Sequence, residues 1–202
     1  VVIALAQGLR VAGIDPGKTI GVCVYDTAAG RVTDAAQYRS LAETVEHCRR
    51  LLQSGMCDAF AIERPRIYSH GGNELADTIE QFGALWHAIG GRAPLPAETQ
   101  QLQGGVYRVD VQGWDFVRPL YAIERRAVTR ELSREMGEDV RGDAGVWAVL
   151  VELHGGRGVA DRRAAKGAEP GALGLLHGLP HARAALAVAW AAGQIEIGQT
   201  DA

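Results

Sequence analysis

Only three cysteines, Cys23, Cys48 and Cys57, occur in the 202 residues. They are odd in number, lack metal-ligand spacing and each falls in an apolar stretch. That argues against a disulfide framework and for buried free thiols in a reducing compartment. No run of about 18 apolar residues is present, so no membrane span is expected. Residues 1–6 are apolar but have no basic flank and are too short for a secretory signal, and a cytoplasmic location is expected. Lysine is nearly missing, with Lys18 and Lys166 the only two. A net charge of −3 does not advertise a nucleic-acid partner. Arginine, which carries the remaining positive charge, suits bidentate phosphate contact, yet it equally reflects a GC-rich, Ala- and Gly-heavy genome. What the chain does hold is an apolar content of 47%, ample for one core. Residues 1–202 read as a single domain with an insertion.

The pattern is mixed α/β. Residues 9–14, 20–25 and 32–38 read as three consecutive antiparallel strands, with Pro16-Gly17 and the stretch from Thr27 to Gly30 as turns. Asp15 stands at the tip of the first strand. Aspartate and proline favour turns, so Asp15 reads either as a turn opener or as a carboxylate on a rigid base facing an open loop. Leu41, Val45, Cys48, Leu51 and Leu52 recur at helical spacing, with Ser40 as N-cap and Gly55 as stop. Residues 59–62 are apolar without alternation, as in a central parallel strand, and end at Glu63. Two buried strands thus each end in a carboxylate. Side by side, Asp15 and Glu63 emerge together at the carboxyl edge, where open α/β sheets place their sites. The alternative for Glu63 is an ion pair with Arg64 or Arg66.

Residues 74–89 read as a helix, and 92–115 as an irregular insertion containing a short strand at 106–111. Residues 116–129 resume strand character and are rich in arginine: Arg118, Arg125, Arg126 and then Arg130. Val146, Val149, Leu150 and Leu153 mark a further helix with Asp143 as its cap. A Gly/Ala/basic loop at 155–174 holds Lys166. The chain closes in an Ala-rich helix over 180–192, with Pro180 at its start. His181 and position 184 are three apart and share one helical face.

Asp15-Pro16-Gly17 after a strand, Ile62-Glu63-Arg64-Pro65 after another, and the run from His181 to Ala189 opening a final helix resemble the RuvC-type Holliday junction resolvases. The segment from Lys166 through Gly178 resembles the phage-encoded members. The resemblance implies an RNase H-like fold, with a five-stranded sheet of three antiparallel and then parallel strands flanked by helices. It implies a homodimeric endonuclease that nicks four-way DNA junctions symmetrically, in the cytoplasm of a bacterium or of a phage-infected cell. It implies catalytic, metal-binding residues at Asp15, Glu63, His181 and position 184, and no nucleotide cofactor.

Phosphodiester hydrolysis must activate water and neutralise charge on the phosphate and on the leaving 3′ oxygen, which two divalent ions roughly 4 Å apart can do. Carboxylates are the hard ligands that Mg2+ requires. His181 suits Mn2+ somewhat better, and an imidazole can also exchange protons near neutral pH. Ala184 departs from the family pattern, which calls for aspartate there. A deliberate inactivating substitution, a natural loss of activity and a misplaced alignment each account for it. The first is favoured, because the other three positions would drift in a lineage that no longer cleaved. For DNA contact, Lys18, Arg64 and Arg66 are expected to reach phosphates and Tyr68 to stack on an unpaired base. Arg130, Arg141 and Lys166 follow as lesser candidates. Three rival readings stand beside this one. Actin-like ATPases and sugar kinases share the first motif but need two domains. The others are a junction-binding protein that does not cut and a generic RNase H-like nuclease.

Overall fold

The computed structural model describes residues 8–66, 72–91, 93–95, 99, 101–113, 116–154 and 173–200. Strands β1 (Arg10–Asp15), β2 (Ile20–Asp26) and β3 (Arg31–Tyr38) form an antiparallel meander. Helix α1 (Leu41–Gln53) crosses over to β4 (Ala59–Arg64), which lies parallel to β1 with Ile14 opposite Ile62. Ser40 caps α1 by accepting from the Glu43 N–H, and the helix ends before Gly55 at φ +68°. Helix α2 (Asn73–Gly90) follows, then β5 (Gln101–Gln103), β6 (Val106–Gly113) and β7 (Phe116–Glu124). The chain continues through α3 (Arg125–Met136), α4 (Gly142–Leu153), a 3-10 turn (Gly174–Leu176) and α5 (Pro180–Thr200). No helix among the described residues is long and apolar enough to cross a membrane.

Two expectations require correction. The sheet has seven strands, in the order β3-β2-β1-β4-β7-β6-β5, and not five. The cause lies in residues 101–113, which are not irregular but form a β5–β6 hairpin that extends the sheet antiparallel to β7. The Pro and Gly residues that weakened the pattern there sit around these strands: Gly104 and Gly105 make the tight turn, Gly105 with φ +88°. Second, strand character does not persist to 129. β7 stops at Glu124, and Arg125 is already the first residue of a helix.

Side chains alternate across the sheet, so its two faces carry separate cores. Val11, Ala59 and Ala61 lie under α3, α4 and α5, whereas Ala12, Ile14, Phe60 and Ile62 lie under α1 and α2. All three cysteines are buried free thiols within these cores. By the same alternation Asp15 and Glu63 project toward α5. Along that helix Ala182, Ala185, Leu186, Ala187, Val188, Ala189, Ala191 and Ala192 are fully buried.

Helix α5 approaches β1 and β2 at backbone distance. A Cβ on Gly13 would fall 2.0 Å from the Ala185 carbonyl oxygen, and one on Gly21 would fall 2.1 Å from that of His181. Glycine is therefore required at both positions by the closeness of the helix, not by a turn. Gly21→Ala is expected to lift the amino end of α5 and to destabilise the chain by about 2 kcal/mol, measured by urea unfolding. Gly17→Ala, where the nearest atom is an ordinary 3.7 Å away, is expected to leave the midpoint nearly unchanged.

Candidate active site

Asp15 ends β1 and Glu63 is the penultimate residue of β4. They follow the paired residues Ile14 and Ile62 on adjacent parallel strands, so the sheet brings them to one edge. The amino end of α5 closes over them. Pro180 opens that helix without an N–H to satisfy, and the His181 N–H is donated to Gln37 Oε1 of β3 at 2.7 Å. The His181 ring meets Asp15, with Nδ1 3.2 Å from Oδ2. Asp15, Glu63, His181 and Ala184 together line one cleft of about 560 Å³. Arg125, Asp143, Trp147 and Arg183 complete its walls.

Arg125 places Nη1 3.3 Å from Glu63 Oε2, and its Nη2 donates to the carboxylate of Asp143 on α4. Asp143 does not cap α4 as expected. Arg141 occupies the cap position, and Asp143 in the first turn reaches into the cleft instead. Arg183 lies on the rim with its guanidinium 4.8 Å from the centre of the Trp147 ring.

The two strand-end carboxyls are only 18% and 19% exposed. Burial raises the Asp15 carboxyl above the ordinary aspartate range, and the hydrogen bond with His181 partly opposes this. Burial pushes Glu63 up to about 7. Arg125 pulls Glu63 down, while Asp15 and Asp143 push the same way as burial. Ionised only at a cost in the cleft, these two groups favour a cation that would stabilise their charged form. Among the described residues, no three Asp, Glu, His or Cys side chains gather closely enough to hold an ion by themselves. Mg2+ commonly takes one or two carboxylates and keeps water and phosphate oxygens for the rest. Asp15 and Glu63 suit one such ion, whereas Ala184 presents only a methyl group to the same cleft.

The remaining candidates scatter. Lys18 is exposed on the turn after β1, outside the cleft wall. Arg64 follows Glu63 by one residue and so takes the opposite face. There its guanidinium lies 4.4 Å from the Tyr107 ring centre and 3.5 Å from Glu124 Oε1. Arg66 is exposed beyond β4. Arg130 sits on α3, bonded to the Gly104 carbonyl at 2.9 Å and paired with Glu131 at 3.2 Å. Arg141 pairs with Asp139 on the surface. Tyr68 and Lys166 lie outside the described residues.

Sequence reasoning read Arg125 only as one of an arginine run that could track phosphates or form a solvated face, and left Asp143 a capping role. An arginine run directly after an apolar strand is the one signal that marked the first; nothing local marked the second.

Because the folded state holds the Glu63 proton more tightly than the unfolded chain does, the Glu63 contribution to stability is fully present below pH 4.5 and is lost as pH rises through about 7. Glu63→Gln removes that loss, of the order of 3 kcal/mol. The variant is expected to have a higher urea midpoint than the parent at pH 8, with the gap closing at pH 5. Equal gaps at both pH values would contradict the raised carboxyl.

No protein-family model matches the chain, and no curated protein does. Solved structures do. The RuvC protein of Thermus thermophilus in complex with Holliday junction substrate superposes with a TM-score of 0.54 at 18% identity, over 94% of this chain and 96% of that one. A second Thermus thermophilus RuvC structure gives a TM-score of 0.53 at 17% identity, over 94% and 97%. At these identities the likeness is one of fold: the α/β architecture of this chain resembles that of RuvC over most of its length.

Proposed function

We propose that the chain is a metal-dependent endonuclease that resolves four-way DNA junctions as a homodimer. The observation that carries this reading is the meeting of Asp15, Glu63 and His181, from three distant stretches, in one cleft at the carboxyl edge of the sheet. The fold likeness adds weight, since one of the matching structures is described as bound to Holliday junction substrate. A homodimer fits because two symmetric cuts call for a two-fold enzyme.

Asp15 and Glu63 would hold Mg2+, or Mn2+ in its place, and the ion supplies Lewis acidity and an activated water. The net reaction joins a water oxygen to phosphorus, breaks the bond to the 3′ oxygen and leaves one water proton on that oxygen. His181, fixed through Nδ1 to Asp15, is the proton carrier of the cleft. The Gln37 contact and the Gly21 approach set where its ring stands.

Ala184 favours a second reading, a junction-binding protein that no longer cuts, because the position lines the cleft yet offers no ligand. A nicking assay with Mg2+ and with Mn2+ on a four-way junction and a linear duplex, using the parent, Ala184→Asp and Asp15→Asn, separates the two. Nicking of the junction by the parent or by Ala184→Asp, lost by about a hundredfold or more in Asp15→Asn, is the expected outcome. Selective junction binding without nicking by any form establishes the binding module. No preference for the junction over the duplex overturns both.

A further inference from the structure

The cleft carries an arginine that the expected chemistry does not use. Arg125 is not a surface residue that happens to lean inward. It leaves the carboxyl end of β7, the strand paired with β4, with Ile123 opposite Glu63, so its guanidinium starts beside the Glu63 carboxylate. It spans the cleft from Glu63 on one side to Asp143 on the other, and it acts electrostatically on Asp15 as well. Its side chain is 29% exposed.

The charge inventory of the cleft follows from these contacts. Asp15, Glu63 and Asp143 bring three carboxylates, against which stand two guanidiniums, Arg125 between Glu63 and Asp143 and Arg183 on the rim. A carboxylate at position 184 would add a negative charge and, were Arg125 not there, a ligand for another ion. In its absence, a fixed cation already stands between two of the carboxylates.

We infer that Arg125 takes the part of a second metal ion, so that the site works with one divalent cation on Asp15 and Glu63 and a guanidinium that grips the scissile phosphate. This rests on the endonuclease reading above and refines it. The fork of an arginine matches two oxygens at once. Glu63 orients one limb of that fork. The other limb is held by Asp143, whose side chain is 90% exposed, and a pair open to water is weak. A phosphate oxygen entering the cleft displaces Asp143 and takes its place on Nη2. The guanidinium then faces the non-bridging oxygens, where charge gathers as water adds to phosphorus, and it needs no reorganisation at that moment. Ala184 becomes an ordinary part of such a site, because a carboxylate there would compete with the phosphate for Arg125.

The test counts ions before it measures cutting. Mn2+ binding to the DNA-free protein is followed by electron paramagnetic resonance for the parent, Arg125→Gln, Arg125→Lys, Ala184→Asp and the double variant Arg125→Gln/Ala184→Asp. Junction affinity and single-turnover nicking are measured in parallel. One Mn2+ per chain is expected for the parent and for Ala184→Asp, and two for the double variant. Nicking is expected to fall about a hundredfold in Arg125→Gln, with junction affinity within a few-fold. Arg125→Lys, which keeps the charge and loses the fork, recovers only part of the rate. Two ions on the parent, or parental nicking by Arg125→Gln, overturns the role of Arg125 while leaving the endonuclease intact. A parent that binds no Mn2+ and nicks no junction overturns the endonuclease reading itself, and this one with it.

Discussion

The closeness of α5 to the first two strands is the constraint from which the rest follows. An alanine-rich helix lies on a sheet at a depth that leaves no room for a Cβ at Gly13 or Gly21. Small residues on both surfaces replace the usual interdigitation of large side chains, and the helix axis drops toward the strands accordingly. Because β1 and β4 end beneath the amino end of that helix, their terminal carboxylates and the ring of His181 come within reach of one another. Gln37 then completes the junction by accepting the His181 N–H from the neighbouring strand. Packing and site geometry are here the same fact.

That geometry concentrates like charge where water is scarce. Asp15 and Glu63 sit on adjacent strands, both largely buried, and Asp15 raises the cost of ionising Glu63 while Asp143 raises that of both. A fold does not keep such a pair for its own stability. The partial remedies in view, His181 against Asp15 and Arg125 against Glu63, leave the Glu63 carboxyl near neutrality rather than fully charged. A cation entering at this edge of the sheet would restore the ionised form of both groups.

The opposite face of the same edge shows how much depends on parity. Glu124 ends β7 as Glu63 nearly ends β4, and it too is a buried carboxylate. Its neighbours are Arg64, Arg126 and Tyr107, all turned away from the cleft. One residue along a strand reverses the side on which a group appears. The arginine that follows Glu63 in the chain is therefore not the one that meets it. Arg125, 62 positions further along, is.

Local patterning made most of the elements legible: the alternating strands around Pro16-Gly17, the Ser40 cap, the apolar run into Glu63 and the Pro180 start of the last helix. It also brought Asp15 and Glu63 forward, because strand ends are local properties, whereas His181 came forward through the family resemblance. It did not reveal the seventh strand, since Gly104 and Gly105 interrupt β5 and β6 just where their turn must be. Nor did it reveal the helix that begins at Arg125, although arginine, alanine, leucine and glutamate all favour it there, because the apolar strand runs into it without a breaker and the inward stripe of Ala127, Val128 and Leu132 continues the apolar pattern. The sequence by itself determined which residue types stand at the ends of which elements. Which of them face one another was decided only in three dimensions, because pairing register and face are set by neighbours distant in the chain, and charges act through space rather than along it.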